Sequence, residues 1–268
     1  SFASENLMLL NSLAKKNEVT VIYDAGVAPG IPNFILGALN KDQKILSFQY
    51  FVGGLPMEPK PPYNYKAPFS PIDVIEEYTR PARVMRNGEI LTLPALSEII
   101  EKRYDRVGNL EAFNSDGLRS ILTTMSHIPD MLEKTLRYPG HANLIKRELE
   151  SKKIQPNDKK SLEKLFKEWK LNHGEKEFTI LDIKIECELK NYNYLLYDQT
   201  DDLTSISSMA RTTGYTATAT INYLIEKGHK NYGVFPPEII SNDKDIWIYI
   251  NRYLSSRNIQ ISETIVNK

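Results

Sequence analysis

Apolar residues recur at helical spacing over residues 5–16, at Leu7, Leu9, Leu10 and Leu13. A short apolar run of strand length follows at 19–23, and residues 29–40 return to the helical pattern, with Pro32 tolerated in the first turn. "KILSFQYFVGG", residues 44–54, reads as a strand closing on two glycines. Residues 55–71 are dense in proline and aromatics, which predicts an ordered loop. "ARVMRNGEILTL" is a hairpin, because Asn87 and Gly88 accept the positive φ angles of a tight turn. "RVGNLEAFN" adds a further strand, and helices are expected near 117–125, 130–136, 141–151 and 158–169. The polar stretch around Pro156 is a surface connection. Strands at 177–189 and 192–199, turning at Lys190 and Asn191, precede a helix near 212–227 that Gly228 closes. An extended "GVFPPE" and a last helix over 244–256 complete the pattern. The fold class is α/β (α+β): a mixed, largely antiparallel sheet backed by helices and flanked by pieces of a parallel sheet.

Composition narrows the function more than the fold. Lys plus Arg equals 34 and Asp plus Glu equals 34, so no long-range field draws nucleic acid or an acidic membrane. No apolar run reaches the ~20 residues of a membrane span. The start at Ser1 carries no initiator Met and no signal-peptide pattern, which fits a segment cut from a longer chain. Cys187 is the single cysteine, so an intrachain disulfide is excluded and a reducing, cytoplasmic setting is expected. None of His127, His141, His173 and His229 forms a pair at metal-ligand spacing, and CxxC and HExxH are absent, so no metal is expected. G-x-S-x-G, G-x-G-x-x-G and a Walker A loop are also missing.

Several turns could carry chemistry. Asp24 ends a strand, with Gly26 and Pro29-Gly30 after it, where open sheets hold ligands; it equally suits capping the turn. Gly53 and Gly54 permit close backbone approach or make a simple turn. Lys66 sits in a proline-braced loop that could offer a cation, and is otherwise a solvated lysine. Around "LEAFNSDGLRS", Ser115 or Asp116 could cap a helix, leaving Asn114 and Arg119 for a ligand. Arg137, beside Tyr138, offers a fork to a carboxylate or joins a surface ion pair. Arg211, Thr212 and Gly214 open a helix, a place for an anion or an ordinary cap.

Taken in order, "YDAGVAPGIPN", "FVGGLP", "YNYKAPFSPIDVIEEYTRPAR", "EAFNSDGLRS", "EKTLRYPG" and "SMARTTGYTA...GVFPPE" resemble the saccharopine dehydrogenase superfamily, nearest its L-lysine 6-dehydrogenase-like members. The resemblance runs from about Val21 to Glu238. It implies an oxidoreductase that uses NAD or NADP on the C–N bond of lysine or a related basic amino acid, working as a homodimer. Alternatives within it are a carboxynorspermidine-type reductase or a non-catalytic dimerisation module. It implies that 1–26 and 211–240 are remnants of an incomplete Rossmann domain, that 27–210 form the substrate-binding and dimerisation domain, and that 241–268 are a C-terminal helix and tail. With no phosphate loop in this sequence, weak dinucleotide binding by this chain alone is expected. Saccharopine-forming relatives show "EIGLDPG" and "YCGGLP"; here Asp24, Ala28 and Val52 stand at the first Glu, the Asp and the Cys, which favours the lysine-dehydrogenase-like branch.

Amine oxidation builds positive charge on the carbon and nitrogen that lose hydride, and a carboxylate stabilises it. On this resemblance Asp24 and His127 are the expected catalytic groups. Arg137 or Lys66 would bind the substrate carboxylate, with Asn114, Tyr138, Gly53 and Gly54 around it. Gly26, Arg211 and Thr212 would face the cofactor.

Overall fold

The computed structural model describes residues 5–172, 174–228 and 231–268; His173, His229 and the first four residues lie outside them. The chain opens with a 3-10 turn, Glu5–Leu10, then α1 (Asn11–Lys16), β1 (Thr20–Ile22), α2 (Ile31–Asn40), β2 (Ile45–Pro56) and α3 (Pro71–Thr79). Next come β3 (Ala82–Arg86), β4 (Glu89–Leu93), β5 (Ile100–Tyr104), β6 (Gly108–Asn114), α4 (Ile121–Thr124) and β7 (Asp130–Arg137). The remainder is α5 (His141–Glu150), α6 (Lys159–Trp169), β8 (Glu177–Cys187), β9 (Lys190–Gln199), α7 (Ser208–Glu226), β10 (Gly233–Phe235), α8 (Pro237–Ile240), α9 (Lys244–Ser255) and β11 (Ile261–Asn267).

The larger sheet has nine strands in the order β11-β9-β8-β2-β7-β3-β4, with β6 also on β7 and β5 on β6. Its one parallel pair is β2 with β7, in register from Ser47 opposite Asp130 to Val52 opposite Thr135. The other pairings are antiparallel. β1 and β10 form a separate parallel pair. Strand alternation divides the interior into two cores. Phe48 and Tyr50 of β2, with Ile183 and Ile185 of β8, face α2, α7 and α9. Phe51 and Leu55 of β2, with Phe178 and Ile180 of β8, face α3, α5 and α6.

Three expectations are corrected. Residues 130–136 form β7 rather than a helix: "DMLEKTLR" has good helix formers, but β2, β3 and β6 all pair with it and bury both faces. Tertiary pairing outweighs propensities of a few tenths of a kcal/mol, roughly, per residue. The expected 117–125 helix shrinks to α4. The tail after α9 adds an edge strand, β11, to β9. The Asn87–Gly88 hairpin forms as expected, with φ of 50° and 80°, whereas the later turn lies at Glu188 and Leu189, two residues early. α7 begins at Ser208, where the Ser207 side chain accepts from the Ala210 N–H.

Candidate functional site

Parallel β2 and β7 end side by side, and a cleft of about 400 Å³ opens beyond them. That volume lies in the ~300–1,000 Å³ range of small-molecule sites. The turn after β1 supplies Gly26, Ala28 and Pro29 to one wall. This turn is tight because the Gly26 N–H bonds to the Pro29 carbonyl, and a Cβ on Gly30, at φ 144°, would lie 1.9 Å from the Gly26 oxygen. Gly53 and Gly54 form a second wall. A Cβ at Gly54 would sit 2.5 Å from Met209 Cε and 2.7 Å from Pro68 Cγ, so the bare backbone lets α7 and the proline loop close over the strand.

The charged side chains come from β7 and α3. Glu133, Thr135 and Arg137 alternate along β7 and so share a face. Asp73 and Glu77 lie one turn apart on α3, which Pro71 starts. Thr135, Arg137, Asp73 and Glu77 all line the cleft.

Arg137 is 2% exposed and held from every side. Its Nε donates to the Tyr78 hydroxyl at 2.9 Å, Nη1 to the Leu136 carbonyl at 2.9 Å, and Nη2 to Glu77 Oε2 at 3.2 Å and the Tyr65 hydroxyl at 3.4 Å. The guanidinium also lies 4.3 Å from the Tyr65 ring centre. Tyr78 is 2.9 Å from His141 Nε2, and His141 Nδ1 is 2.8 Å from the Tyr63 carbonyl. A carbonyl only accepts, so Nδ1 carries the proton, Nε2 accepts from Tyr78, and the Tyr78 oxygen stays available to Arg137. Burial, then the nearby Arg137 charge, pushes His141 down to about 3, consistent with a neutral ring. Burial pushes the Glu77 carboxyl up to about 7, against the pull of Arg137.

Behind the cleft lies a chamber of about 30 Å³ that shares Ala28, Val52, Glu77 and Thr135 with it. Glu133 closes it, accepting at Oε2 from Ser115 Oγ at 2.7 Å and the Gly117 N–H at 3.1 Å. Burial pushes this carboxyl up to about 8. Tyr50 and Asp116 line the same chamber.

The structure brings Arg137, Gly53, Gly54 and Gly26 together at the cleft. It places the other expected residues elsewhere. Asp24 sits at the carboxyl end of β1 but turns inward at φ 55°, and Arg119 Nε donates to its Oδ2 at 2.6 Å. The side chains of that pair are 0% and 3% exposed, and neither lines the cleft. His127 is exposed and pairs with Asn40 Oδ1 at 2.7 Å. Lys66 donates to the carbonyls of Glu168 and Lys170, closing the end of α6. Asn114 accepts from Lys134 at 2.7 Å and donates to Ser97 and Glu98, away from the cleft. Tyr138 donates to the Pro56 carbonyl. Arg211 is tied to Asp198, Asp201 and the Arg257 carbonyl, and Thr212 donates to the Ser208 carbonyl. On α7 it is Ala210, Thr213 and Gly214 that face the cleft, because successive residues point ~100° apart. Glu77 and Thr135 escaped sequence reasoning. The available signal was a glutamate within the apolar arc Val74, Ile75 and Tyr78 of α3.

The described residues fit the ring end of a nicotinamide dinucleotide. Gly26 and Gly214 leave the wall between β1 and α7 bare, and a Cβ at Gly26 would already lie 3.1 Å from Thr213 Cγ2. A glycine loop for the diphosphate is not in this sequence. Among the described residues, no group of acids, histidines and cysteine is placed to hold a metal ion, and no helix is long and apolar enough to cross a membrane.

The family model for the saccharopine dehydrogenase C-terminal domain matches residues 26–259, and the chain belongs to that family. It is similar to alpha-aminoadipic semialdehyde synthase of Arabidopsis thaliana, 26% identical over 166 residues, or 54% of this chain and 15% of that protein. It is also similar to the mitochondrial alpha-aminoadipic semialdehyde synthase of Mus musculus, 26% identical over 140 residues, 47% of this chain and 15% of that one. The chain thus spans about 15% of the length of these curated relatives. The apo structure of saccharopine dehydrogenase (L-Glu forming) from Saccharomyces cerevisiae superposes with a TM-score of 0.77 at 18% identity, covering 99% of this chain and 78% of that one. The fold is therefore that of a saccharopine dehydrogenase, with a mixed sheet backed by helices.

Proposed function

We propose that the cleft is the substrate site of an amino-acid dehydrogenase that oxidises the C–N bond of lysine or a related basic amino acid with NAD or NADP. The observation that carries this is Arg137, a caged, buried guanidinium at the floor of a cleft beyond parallel strand ends. A guanidinium recognises a carboxylate through two parallel hydrogen bonds, and burial strengthens each of them. Arg137 then anchors the substrate carboxylate, with the Thr135 hydroxyl beside it. Val52, Phe69 and Met209 exclude water from the reacting carbon. The bound dinucleotide supplies the hydride acceptor, and Gly26, Thr213 and Gly214 are the residues that would hold its ring. Glu77 lines the same cleft beside Arg137, next to the carbon and nitrogen that are oxidised.

The test is direct. The protein in its full-length form is mixed with NAD or NADP and L-lysine, and the reduced-nicotinamide absorbance is followed. Lysine-dependent reduction that Arg137→Met lowers by about a hundredfold in kcat/KM supports the assignment. Failure to oxidise any basic amino acid with either cofactor defeats it.

A further inference from the structure

Oxidising an amine requires a base at the cleft, because an ammonium nitrogen has no lone pair to stabilise the carbon that loses hydride. Asp24 is enclosed with Arg119, and His127 lies outside, so neither reaches that nitrogen. Ala28 and Val52, at the junction of cleft and chamber, carry no proton.

The carboxyl groups at the cleft and chamber differ in what already holds them. Asp116 accepts at Oδ1 from the Arg83 backbone and Nε and at Oδ2 from Arg83 Nη2, with Arg80 Nε at 3.4 Å. Glu133 is turned to Ser115 and Gly117 and meets the chamber alone. Asp73 meets the cleft alone. Glu77 lines both spaces. Its Oε2 takes Arg137 Nη2 at 3.2 Å, and Oε1 has no hydrogen bond among the described residues.

We propose that Glu77 is the acid–base group of this site, accepting a proton first from the substrate ammonium and then from a water seated in the chamber behind it. This rests on the proposed amino-acid oxidation. A substrate carboxylate arriving at Arg137 competes with Glu77 for the guanidinium, which turns Glu77 toward the amine. An N–H bond breaks, an O–H bond forms on Glu77, and the electron pair stays on nitrogen. The nicotinamide dinucleotide named above is the oxidant that takes the hydride. Glu77 then loses its proton to solvent past Asp73, one turn nearer the start of α3. Next it takes a proton from the water as the oxygen bonds to the iminium carbon and the C=N π pair moves to nitrogen. That proton passes to nitrogen. The carbinol O–H proton returns to Glu77 as the C–N bond breaks, leaving a carbonyl compound and ammonia.

The chamber, at about 30 Å³, admits a water, which needs ~10–15 Å³. The groups around Glu77 are Asp73 on α3 and Arg80 just past its end, Arg137 and Glu133 on β7, Tyr65 and Tyr78 beside Arg137, and Asp116 in the chamber. Burial, opposed by Arg137, raises the Glu77 carboxyl toward neutrality.

The test uses the protein in its full-length form as wild type, Glu77→Gln and Glu77→Asp, with NAD or NADP and L-lysine, alongside thermal melts. Glu77→Gln should lower kcat by about a hundredfold or more and remove the acid limb of its pH profile. A second readout needs no turnover: lysine binding by calorimetry at pH 7 in buffers of different ionisation enthalpy. Wild type should release a fraction of a proton per lysine, as follows for a carboxyl raised by burial that meets a cation, and Glu77→Gln should release none. If Glu77 only balances Arg137, Glu77→Gln raises KM and leaves kcat and the acid limb in place, which overturns the proposal. If Glu77→Gln does not fold, Glu77→Asp decides: a displaced limb with lowered kcat supports the proposal, and an unmoved limb overturns it. If wild type oxidises no amine, the function proposed above fails, and the proton count alone judges Glu77: equal counts in wild type and variant overturn it.

Discussion

Of the carboxylate–guanidinium pairs in this protein, two differ sharply in what they face. Asp24–Arg119, with N···O at 2.6 Å, is sealed among packed side chains. Glu77–Arg137, at 3.2 Å, borders the cleft, and its glutamate keeps 12% of its side chain exposed. The sealed pair joins the turn after β1 to the segment before α4, two parts of the chain 95 residues apart. The cleft pair has room beside it for a third charged group. Burial alone therefore does not mark a functional charge; burial next to empty space does.

Removing Arg119 should have the largest effect. Arg119→Met takes the guanidinium from a buried Asp24, and denaturant unfolding should show a loss of about 3–5 kcal/mol. Arg137→Met should cost less stability, because Glu77 can take up a proton, but kcat/KM for the amino acid should fall by about a hundredfold, roughly 2.7 kcal/mol. If the two variants exchange these effects, the contrast between the pairs is wrong. Gly54→Ala drives a methyl group against Met209 and Pro68, and should cost about 1–3 kcal/mol while raising KM by narrowing the cleft.

Stability should also depend on pH in a way that reports the interior around Arg137. Glu133 is raised to about 8 from 4.5, so over that window the folded chain keeps a proton that the unfolded chain gives up, and stability falls as pH rises. His141 is lowered to about 3 from 6.5, so over that window the unfolded chain binds a proton that the folded chain excludes, and stability falls as pH drops. Glu77 and Glu177, both raised to about 7 from 4.5, add to the alkaline fall and outweigh His141, so stability measured against pH should peak near about 4.5, each proton contributing at most about 1.4 kcal/mol per pH unit. Glu133→Gln should flatten the alkaline fall. The smallest effect belongs to Lys44–Glu188, an exposed pair whose side chains are 68% and 58% accessible; Lys44→Ala should leave the melting temperature unchanged.

Much of the fold was legible because it is written in local chemistry. Asn87-Gly88 specifies its hairpin through positive φ, and the spacing of apolar residues marks α5 and α6. β7 was not legible, since its strand character comes from three neighbours distant in sequence. The site divides in the same way. Arg137, Gly53, Gly54 and Gly26, which meet at the cleft, stand out locally as an arginine in a turn motif and as glycines at strand ends and turns. Asp24 attracted attention by its place at a strand end, but the sequence did not reveal that Arg119 would close over it.

By itself, then, the sequence determined where the turns fall, which residues must lack a side chain, and which family the ordered motifs resemble, because those properties depend on neighbours a few positions away. Only the tertiary structure decided which acid meets the cleft. Glu76 and Glu77 are the same residue type in adjacent positions, and a rotation of ~100° about α3 leaves one in solvent and sets the other beside Arg137.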